Sequence, residues 1–321
     1  MSQSDSLKVG LAQISSVLLD REKTAAKMIA YLEQAANQQC EFVAFGEALL
    51  PGYPHWLAYT DGAAFNSRVQ KEIHERYIAE SVCIEKGGLD SIREAAAKHR
   101  IAVMLGCIER PEQRGGYSLY CSRVAIDANG EVLSVHRKLM PTYEERLSWS
   151  PGDGHGLRVH PVGPFTVGGL NCWENWMPLA RAALYAQGED LHVALWPGGL
   201  HNTHDTTRFI AKEGRCYVLA VSGVMRRDDI PADFPHRDLF IAGSPEILSN
   251  GGSCIAGPDG EWIIEPVVNE ERLLVATLDR GAIRRERQNF DVAGHYSRPD
   301  VLSLNVDRTR QQIAYFKDTG E

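Results

Sequence analysis

The stretch Gly168-Gly169-Leu170-Asn171-Cys172-Trp173-Glu174-Asn175-Trp176-Met177-Pro178 is the most informative part of the sequence. An apolar segment leads into it from residue 164, and a helix is predicted over residues 178–187. A strand–turn–helix junction presents one side chain at its tip and aims free backbone N–H groups toward that side chain. Cys172 stands at this junction. Because a helix N-terminus lowers the pKa of a cysteine, the pattern predicts a thiolate nucleophile. The alternative is that Cys172 is a small buried side chain in a packed turn.

Apolar runs and helical patterns alternate along the rest of the chain. The predicted strands cover residues 7–13, 41–45, 101–108, 117–126, 131–137, 164–170, 191–196, 216–222, 253–256, 262–265 and 272–278. The predicted helices cover residues 22–37, 89–99, 178–187, 204–212 and 281–288. An Asn129-Gly130 turn predicts a hairpin between residues 117 and 137, and a second hairpin-like unit covers residues 253–278. The alternation with inserted hairpins predicts a single α/β domain with mixed sheets covered by helices.

Composition limits the functional classes. The chain has 321 residues, and its 34 Lys and Arg against 42 Asp and Glu give a net charge of −8. An acidic chain argues against a general nucleic-acid binder, which needs a basic face. We find no secretory signal pattern in the sequence and no apolar run long enough to cross a membrane. Seven cysteines without CxxC spacing predict free thiols in a reducing cytoplasm, with no membrane partner.

Three residues with catalytic potential occupy the same kind of position, each just after a predicted strand. They are Glu47, Lys138 and Cys172. Chemistry gathers at strand ends, where loops converge. A partly desolvated carboxylate can accept the thiol proton, and a nearby lysine stabilises negative charge on the attacked atom. Together the three suit addition to a carbon multiply bonded to nitrogen or oxygen. Taken singly, Glu47 also fits a charge at a helix start, and Lys138 fits a surface residue.

The segments around these residues resemble the nitrilase branch of the carbon–nitrogen hydrolase superfamily. The resemblance rests on four segments in the family's order: Phe45-Gly46-Glu47-Ala48-Leu49-Leu50-Pro51-Gly52-Tyr53-Pro54, residues 137–149 (RKLMPTYEERLSW) followed by Gly152-Asp153-Gly154, the Cys172 stretch, and Gly294-His295-Tyr296-Ser297-Arg298-Pro299-Asp300. Two departures stand out. Gly46 occupies a position where proline is usual, and Ser150-Pro151 replaces glycine plus a variable residue.

The resemblance implies a fold and an activity. The expected fold is a four-layer α-β-β-α sandwich with mixed sheets, formed by residues 1–288, and the C-terminal tail 289–321 would pack on a neighbouring subunit. Two subunits would pair through helices near the cysteine, and dimers would stack into larger spirals. The expected reaction hydrolyses a small-molecule nitrile with water to a carboxylic acid and ammonia, through a thioimidate and an acyl-thioester on Cys172. Glu47 would be the base, Lys138 the charge stabiliser and Glu145 a fourth member that holds Lys138 or substrate. No metal or organic cofactor is expected.

Other candidates carry weaker signals. Tyr53, Trp173 and Trp196 are predicted to line an apolar substrate pocket, although aromatic side chains in the core fit the same pattern. The sequence His201-Asn202-Thr203-His204-Asp205 invites a metal site, but it lacks a third-ligand context, and a polar loop near the pocket is the favoured interpretation. Glu174 is expected to form an internal ion pair.

Several alternatives for function stay open at this stage. A cyanide hydratase or dihydratase, or an amidase of the same superfamily, would carry similar motifs. A non-catalytic assembly protein on the same fold is an alternative of a different class, but the joint presence of Glu47, Lys138 and Cys172 argues against it. A redox thiol protein is a further alternative, and no resolving cysteine lies close to Cys172 in sequence.

Overall fold

A computed structural model describes residues 5–315; residues 1–4 and 316–321, which belong to the predicted polar N-terminus and C-terminal tail, lie outside the described residues. The strands are β1 Ser6–Gln13, β2 Phe42–Phe45, β3 Ala102–Glu109, β4 Tyr120–Ile126, β5 Val132–Arg137, β6 His160–Val162, β7 Phe165–Asn171, β8 Leu191–Trp196, β9 Tyr217–Ser222, β10 Val224–Arg226, β11 Ile247–Ala256, β12 Trp262–Val268 and β13 Arg272–Asp279. The α-helices are α1 Arg21–Asn37, α2 Trp56–Tyr59, α3 Arg68–Glu80, α4 Asp90–His99, α5 Pro178–Tyr185, α6 Leu200–Gly214, α7 Arg237–Gly243 and α8 Arg280–Glu286.

Within the described range, the strands form two mixed sheets. The first has the order β13-β1-β2-β3-β4-β5, with a parallel centre formed by β1, β2 and β3 and antiparallel pairs on both sides. The second has the order β10-β11-β9-β8-β7-β6, with β12 paired to β11. Its centre, β7-β8-β9, is also parallel. The parallel strands are almost wholly buried, as expected for strands covered on both faces.

The two sheets pack face to face and each carries helices on its outer face. Apolar side chains of β1 and β2 meet those of β7, β8 and β9 in one buried cluster between the sheets. On the outer face of the first sheet, α1 and α4 bury residues such as Met28, Leu32 and Ile92. On the outer face of the second, α5 and α6 bury Leu184 and Ile210. The predicted four-layer α-β-β-α sandwich is therefore confirmed.

Helix α1 shows why the sequence pattern succeeded. The Asp20 side chain accepts a hydrogen bond of 2.9 Å from the backbone N–H of Lys23 and so caps the helix start. The buried residues Thr24, Met28, Leu32 and Ala35 follow at helical spacing and form one face.

Several elements differ from the sequence predictions. The short elements α2, α7, β6 and β10 were not predicted. Strand β13 does not extend the hairpin β11–β12; it crosses to the first sheet and pairs antiparallel with β1. Helix α3, with a polar surface and only Ile73 and Tyr77 buried, was not predicted. The segment His201–Asp205 lies in the first turns of α6 instead of in a polar loop, because the helix begins at Leu200, directly after Gly199 at φ 102°.

Beyond α8, the described part of the tail is irregular but returns to the body of the subunit. The Arg310 guanidinium donates to the Asp153 carboxylate at 3.0 Å and to the backbone carbonyl of Val135 at 2.7 Å. Several apolar tail side chains stay exposed: Val301, Leu302, Ile313 and Tyr315. None of the helices between residues 5 and 315 is long and apolar enough to span a bilayer.

Candidate active site

Glu47 lies two residues beyond the end of β2, at the seam between the two sheets. Its backbone N–H donates to the carbonyl of Trp196, at the end of β8 in the second sheet, at 3.1 Å. Gly106 on the neighbouring strand β3 makes room for this turn. A Cβ on Gly106 would lie 2.4 Å from the Gly46 oxygen and 2.6 Å from the Glu47 Cα. The close approach of the β3 backbone at Gly106 therefore fixes the position of the Glu47 backbone, from which the carboxylate side chain extends.

Lys138 directly follows β5, and its side chain is fully buried between two carboxylates. The Nζ atom donates to Glu47 Oε1 at 2.8 Å and to Glu145 Oε2 at 2.7 Å. Burial alone would lower the pKa of Lys138, but the attraction of Glu47 and the other acidic groups around it outweighs burial and holds the pKa well above its usual value. The ammonium form of Lys138 is therefore favoured in the site.

Glu145 is held from three sides. It lies on the 3₁₀ helix Tyr143–Leu147 and its Oε2 accepts a hydrogen bond of 2.6 Å from the backbone N–H of Thr142. Its Oε1 accepts from the Tyr53 hydroxyl at 3.0 Å, and Lys138 completes the set. Because these donors hold both oxygens of Glu145 in place, the carboxylate is suited to fixing the orientation of the Lys138 ammonium.

Cys172 directly follows β7 and is the first residue of the 3₁₀ helix Cys172–Trp176. Its φ of 46° places a non-glycine residue in the left-handed region, a conformation that costs about 1–3 kcal/mol and is concentrated at functional sites. A carboxylate oxygen of Glu47, one of Glu145 and the Cys172 sulfur lie within 4.8 Å of one another. The prediction that distant segments bring sulfur, carboxylate and ammonium together is confirmed.

The pKa of Cys172 differs from the sequence prediction. Burial raises the pKa of Cys172 well above its usual value, and the Lys138 cation and the backbone N–H of Trp173 oppose this only in part. The prediction of a lowered pKa for Cys172 is therefore wrong, because five residues of 3₁₀ helix do not offset complete burial. Burial raises the pKa of Glu47 to about 7 against the attraction of Lys138. A protonated thiol thus faces a carboxylate whose affinity for a proton is strongly increased.

Glu174 does more than form the expected ion pair. Its carboxylate does pair with His136 at 3.0 Å, and both side chains are fully buried. The same carboxylate accepts backbone hydrogen bonds from Leu139 at 2.6 Å and from Asn171 at 2.8 Å. Burial opposes ionisation of Glu174, but His136 and these two N–H groups outweigh it and keep its pKa below the usual value.

The predicted substrate-binding residues occupy three different environments. Tyr53 is bonded to Glu145 through its hydroxyl, as described above, and its ring lies 4.9 Å from that of His55. Trp196 is fully buried, and its Nε1 has no hydrogen-bond partner within the described part of the chain. Trp173 is 43% exposed, stacks on Trp176 and donates to Asn202 Oδ1 at 3.2 Å. Contact of these three residues with substrate stays a prediction.

The site has the charge pattern of an acid–base centre more than that of a metal site. Among residues 5–315, Glu47, Glu145 and Cys172 are the group close enough to share a metal ion. The Lys138 ammonium already bonds both carboxylates of that group. His204 pairs instead with its exposed neighbour Asp205, at the start of α6.

Three further residues shape the site and were not predicted from the sequence. They are Gly106, which admits the Glu47 turn, Thr142, whose backbone bonds Glu145, and Cys121, whose sulfur lies 3.2 Å from Glu47 Oε1. Cys121 lies one position into β4, on the strand paired to β5, which leads to Lys138. That predicted pairing was the signal that could have placed it beside the lysine.

Comparisons with known proteins agree with this geometry. The family described as carbon–nitrogen hydrolase matches residues 8–288. The chain is 37% identical to a protein named nitrilase 2 from an unknown prokaryotic organism, with 99% of this chain and 98% of the relative covered. It is 36% identical to an aliphatic nitrilase of Rhodococcus rhodochrous, with 98% of this chain and 83% of the relative covered.

A solved carbon–nitrogen hydrolase from Helicobacter pylori G27 has the same fold. Its TM-score is 0.71 at 19% identity, covering 93% of this chain and 97% of that one. At 19% identity this similarity shows a shared fold. Membership of the family is shown by the family match and by the two relatives at 37% and 36% identity. The chain therefore belongs to the carbon–nitrogen hydrolase family, in its nitrilase branch.

Proposed function

We propose that the protein is a nitrilase that converts an organic nitrile and two water molecules to a carboxylic acid and ammonia. One observation carries the proposal: a buried thiol, a carboxylate with a pKa of about 7 and a lysine bonded to that carboxylate converge in one site. The nitrilases among the relatives support this choice of substrate. Neither a metal nor an organic cofactor takes part in the proposed reaction.

In the first step Glu47 removes the proton of Cys172 while the sulfur attacks the nitrile carbon. One π bond of the nitrile becomes a lone pair on nitrogen, and the proton held by Glu47 is then delivered to that nitrogen. The product is a thioimidate. The Lys138 ammonium and the backbone N–H of Trp173 stabilise the negative charge that develops on nitrogen, and in a water-poor site such charge stabilisation is large.

The second step replaces nitrogen by oxygen. Water loses a proton to Glu47 as its oxygen adds to the thioimidate carbon, and Glu47 passes this proton to the nitrogen. The result is a tetrahedral intermediate that carries sulfur, hydroxyl and amine. When the hydroxyl proton is transferred through Glu47 to the amine, the C–N bond breaks, ammonia leaves and an acyl-thioester remains. When sulfur leaves instead, the product is an amide. Lys138 and the backbone N–H of Trp173 lie beside the sulfur, and their interaction with it therefore affects the ratio of acid to amide that the intermediate yields.

The third step frees the enzyme. A second water, again activated by Glu47, attacks the thioester carbon, the carboxylic acid leaves and the thiol of Cys172 is restored. Glu145 takes no proton in this scheme; it fixes Lys138 through the hydrogen bond of 2.7 Å. Covalent catalysis divides one difficult hydration into easier additions. Tyr53, Trp173 and Trp196 are proposed to border the bound nitrile.

We also propose that subunits associate through the surface next to the nucleophile. Five apolar side chains within residues 172–179 and on helix α6 are exposed: Trp173, Trp176, Met177, Leu179 and Phe209. Trp173 stacks on Trp176, and the Arg181 guanidinium of α5 lies over the Phe209 ring, so these elements are neighbours. Exposed apolar side chains on neighbouring elements are typical of a protein–protein interface. Residues 1–288 would form the subunit body, and the exposed apolar tail side chains within residues 289–315 would pack on a neighbour.

The cysteines support a reducing compartment. All seven lie within residues 5–315, and each is a buried free thiol. Free thiols are the rule in reducing compartments, so the cytoplasm is the location that we propose.

Product analysis on a substrate panel tests the proposed function. The panel contains aliphatic, aromatic and arylacetic nitriles, cyanide and a primary amide, and the assay measures ammonia, amide and acid. A nitrilase releases acid and ammonia in equal amounts from at least one organic nitrile. Turnover of cyanide alone would indicate a cyanide hydratase or dihydratase, and turnover of the primary amide alone would indicate an amidase. Cys172→Ala is the matched control, and activity equal to the parent in that variant would defeat the mechanism.

A further inference from the structure

The two carboxylate oxygens of Glu47 have different surroundings. Oε1 accepts a hydrogen bond from Lys138 Nζ at 2.8 Å and a second from the Cys121 thiol at 3.2 Å. Oε2 is buried and has no hydrogen-bond partner among the residues that the structure describes. Oε1 thus accepts two hydrogen bonds, whereas Oε2 is able to accept a proton or a hydrogen bond from a ligand.

We propose that Cys121 is a positioning residue that anchors Oε1 of Glu47 and thereby assigns proton transfer from Cys172 to Oε2. The proposal rests on the proposed function, since it names the atom that acts as the base in that reaction. Cys121 forms no bond with substrate. Its thiol proton stays on sulfur throughout, and the proton that moves in the first step goes from Cys172 to Glu47 Oε2 and on to the substrate nitrogen.

Cys121 is built into the site from both its backbone and its side chain. Its carbonyl oxygen accepts a hydrogen bond of 2.8 Å from the backbone N–H of Lys138, and its sulfur contacts Glu47. The residue is only 1% exposed. Cys121 therefore contacts both members of the Glu47–Lys138 pair: its backbone positions Lys138 and its side chain positions the Glu47 carboxylate. The Cys121 side chain has no other hydrogen bond in the described chain.

The thiol is a donor and not a second nucleophile. Burial, together with the negative charge of Glu47, raises the pKa of Cys121 well above its usual value, so the sulfur keeps its proton at neutral pH. Without that donor, the carboxylate is free to turn, and the two oxygens can exchange. The ionised form of Glu47 also loses one of the hydrogen bonds that stabilise it.

Three variants separate hydrogen bonding from packing. Cys121→Ser keeps a donor, Cys121→Ala removes the donor and leaves space, and Cys121→Val removes the donor and fills the space. Cys107→Ala is the control, because Cys107 is also fully buried and lies on the adjacent strand β3 without a polar contact to Glu47. For each protein, kcat and KM are measured between pH 5 and 9 with a hydrolysed nitrile.

In Cys121→Ala and Cys121→Val we expect the acidic limb of the kcat profile to move to higher pH by roughly 0.5–1 pH unit. At pH 6.5 that shift, together with the loss of orientation, lowers kcat roughly fivefold to tenfold, while KM changes less than twofold. For Cys121→Ser and Cys107→Ala we expect the acidic limb of the kcat profile at the same pH as in the parent. The proposal is overturned if the profiles of Cys121→Ala and Cys121→Val superimpose on that of the parent, or if Cys121→Ser shifts as far as they do.

A second readout does not depend on nitrile turnover. Iodoacetamide alkylates Cys172, with loss of iodide, only as fast as the thiol proton is removed, and peptide mass spectrometry identifies the labelled cysteine. The same displacement toward higher pH is expected for the alkylation rate of Cys121→Ala and Cys121→Val, and an unchanged alkylation profile in both variants would contradict the role of Cys121. If the parent hydrolyses no nitrile, the proposed function fails, and this experiment still decides the role of Cys121.

Discussion

The Glu174 carboxylate accepts a hydrogen bond of 2.6 Å from the backbone N–H of Leu139. Leu139 follows Lys138, whereas Glu174 lies two residues after Cys172 and also binds the backbone N–H of Asn171, at 2.8 Å. One buried side chain therefore joins the loop that carries the lysine to the turn that carries the thiol. The two segments follow strands of different sheets, so this side chain connects the two sheets beside the ammonium and the sulfur.

Glu174→Gln is expected to lower kcat roughly tenfold to hundredfold, because an amide can accept from one of the two loops but turns its N–H₂ group toward the other. The free energy of unfolding should fall by about 1–3 kcal/mol. Steady-state kinetics and urea unfolding measure the two effects. Glu271→Gln is the matched control: Glu271 also accepts from a backbone N–H and a cation, Ser15 and Lys27, but outside the site. A kcat within twofold of the parent for Glu174→Gln would contradict the connection.

Gly106→Ala tests how Glu47 is placed. The added Cβ would lie 2.6 Å from the Glu47 Cα, closer than atoms tolerate, so the turn that carries Glu47 has to move. We expect kcat to fall roughly tenfold to hundredfold and stability to fall by about 1–3 kcal/mol. Gly10→Ala in the same sheet, where the nearest atom is a side-chain carbon of Leu273 at 3.2 Å, is the control and should retain activity. Equal activity in the two variants would remove the role given to Gly106.

The pH dependence of kcat/KM tests the role of Glu47 as the base. Because burial raises the pKa of Glu47 to about 7, the carboxylate is protonated below that pH and cannot accept the Cys172 proton. The rate should therefore rise with pH through about 7 and level off above it, since the raised pKa values of Lys138 and Cys172 keep both groups protonated there. A profile that is flat from pH 5 to 9 is the contrary result.

Subunit association should depend on the apolar surface beside the nucleophile. Leu179 is 68% exposed on α5, and a glutamate there would place a charge within the proposed interface. We expect Leu179→Glu to give smaller particles than the parent in light scattering coupled to size-exclusion chromatography. Phe65→Glu, at a fully exposed position on another part of the chain, is the control and should leave the particle size unchanged. Identical sizes for parent and Leu179→Glu would exclude this surface as the interface.

The sequence was sufficient to predict the fold class and the three central side chains. Periodicity located strands such as β1 and β8 to within a residue or two, because buried parallel strands are continuous apolar runs. Glu47, Lys138 and Cys172 all followed predicted strands, and the ends of those strands do meet at one place. Helix α3 escaped prediction because its buried face consists only of Ile73 and Tyr77.

The contacts that tune the site could not be predicted, since they depend on distances across the fold. The pKa of Cys172 was predicted with the wrong sign because the sequence indicates a helix start but not the depth of burial. The bond between Tyr53 and Glu145 joins residues 92 positions apart, and that between Cys121 and Glu47 joins residues 74 apart. The crossing of β13 to the first sheet was likewise invisible, because pairing between the two ends of a chain leaves no local signal.

Rapid-quench mass spectrometry of the enzyme with a hydrolysed nitrile tests the central claim most directly. We predict a covalent adduct on Cys172 with the mass of the added nitrile or of the corresponding acyl group, formed within one turnover and absent from Cys172→Ala, which should also release no acid. Acid and ammonia released at the parent rate by Cys172→Ala, or an adduct on a different residue, would contradict the account.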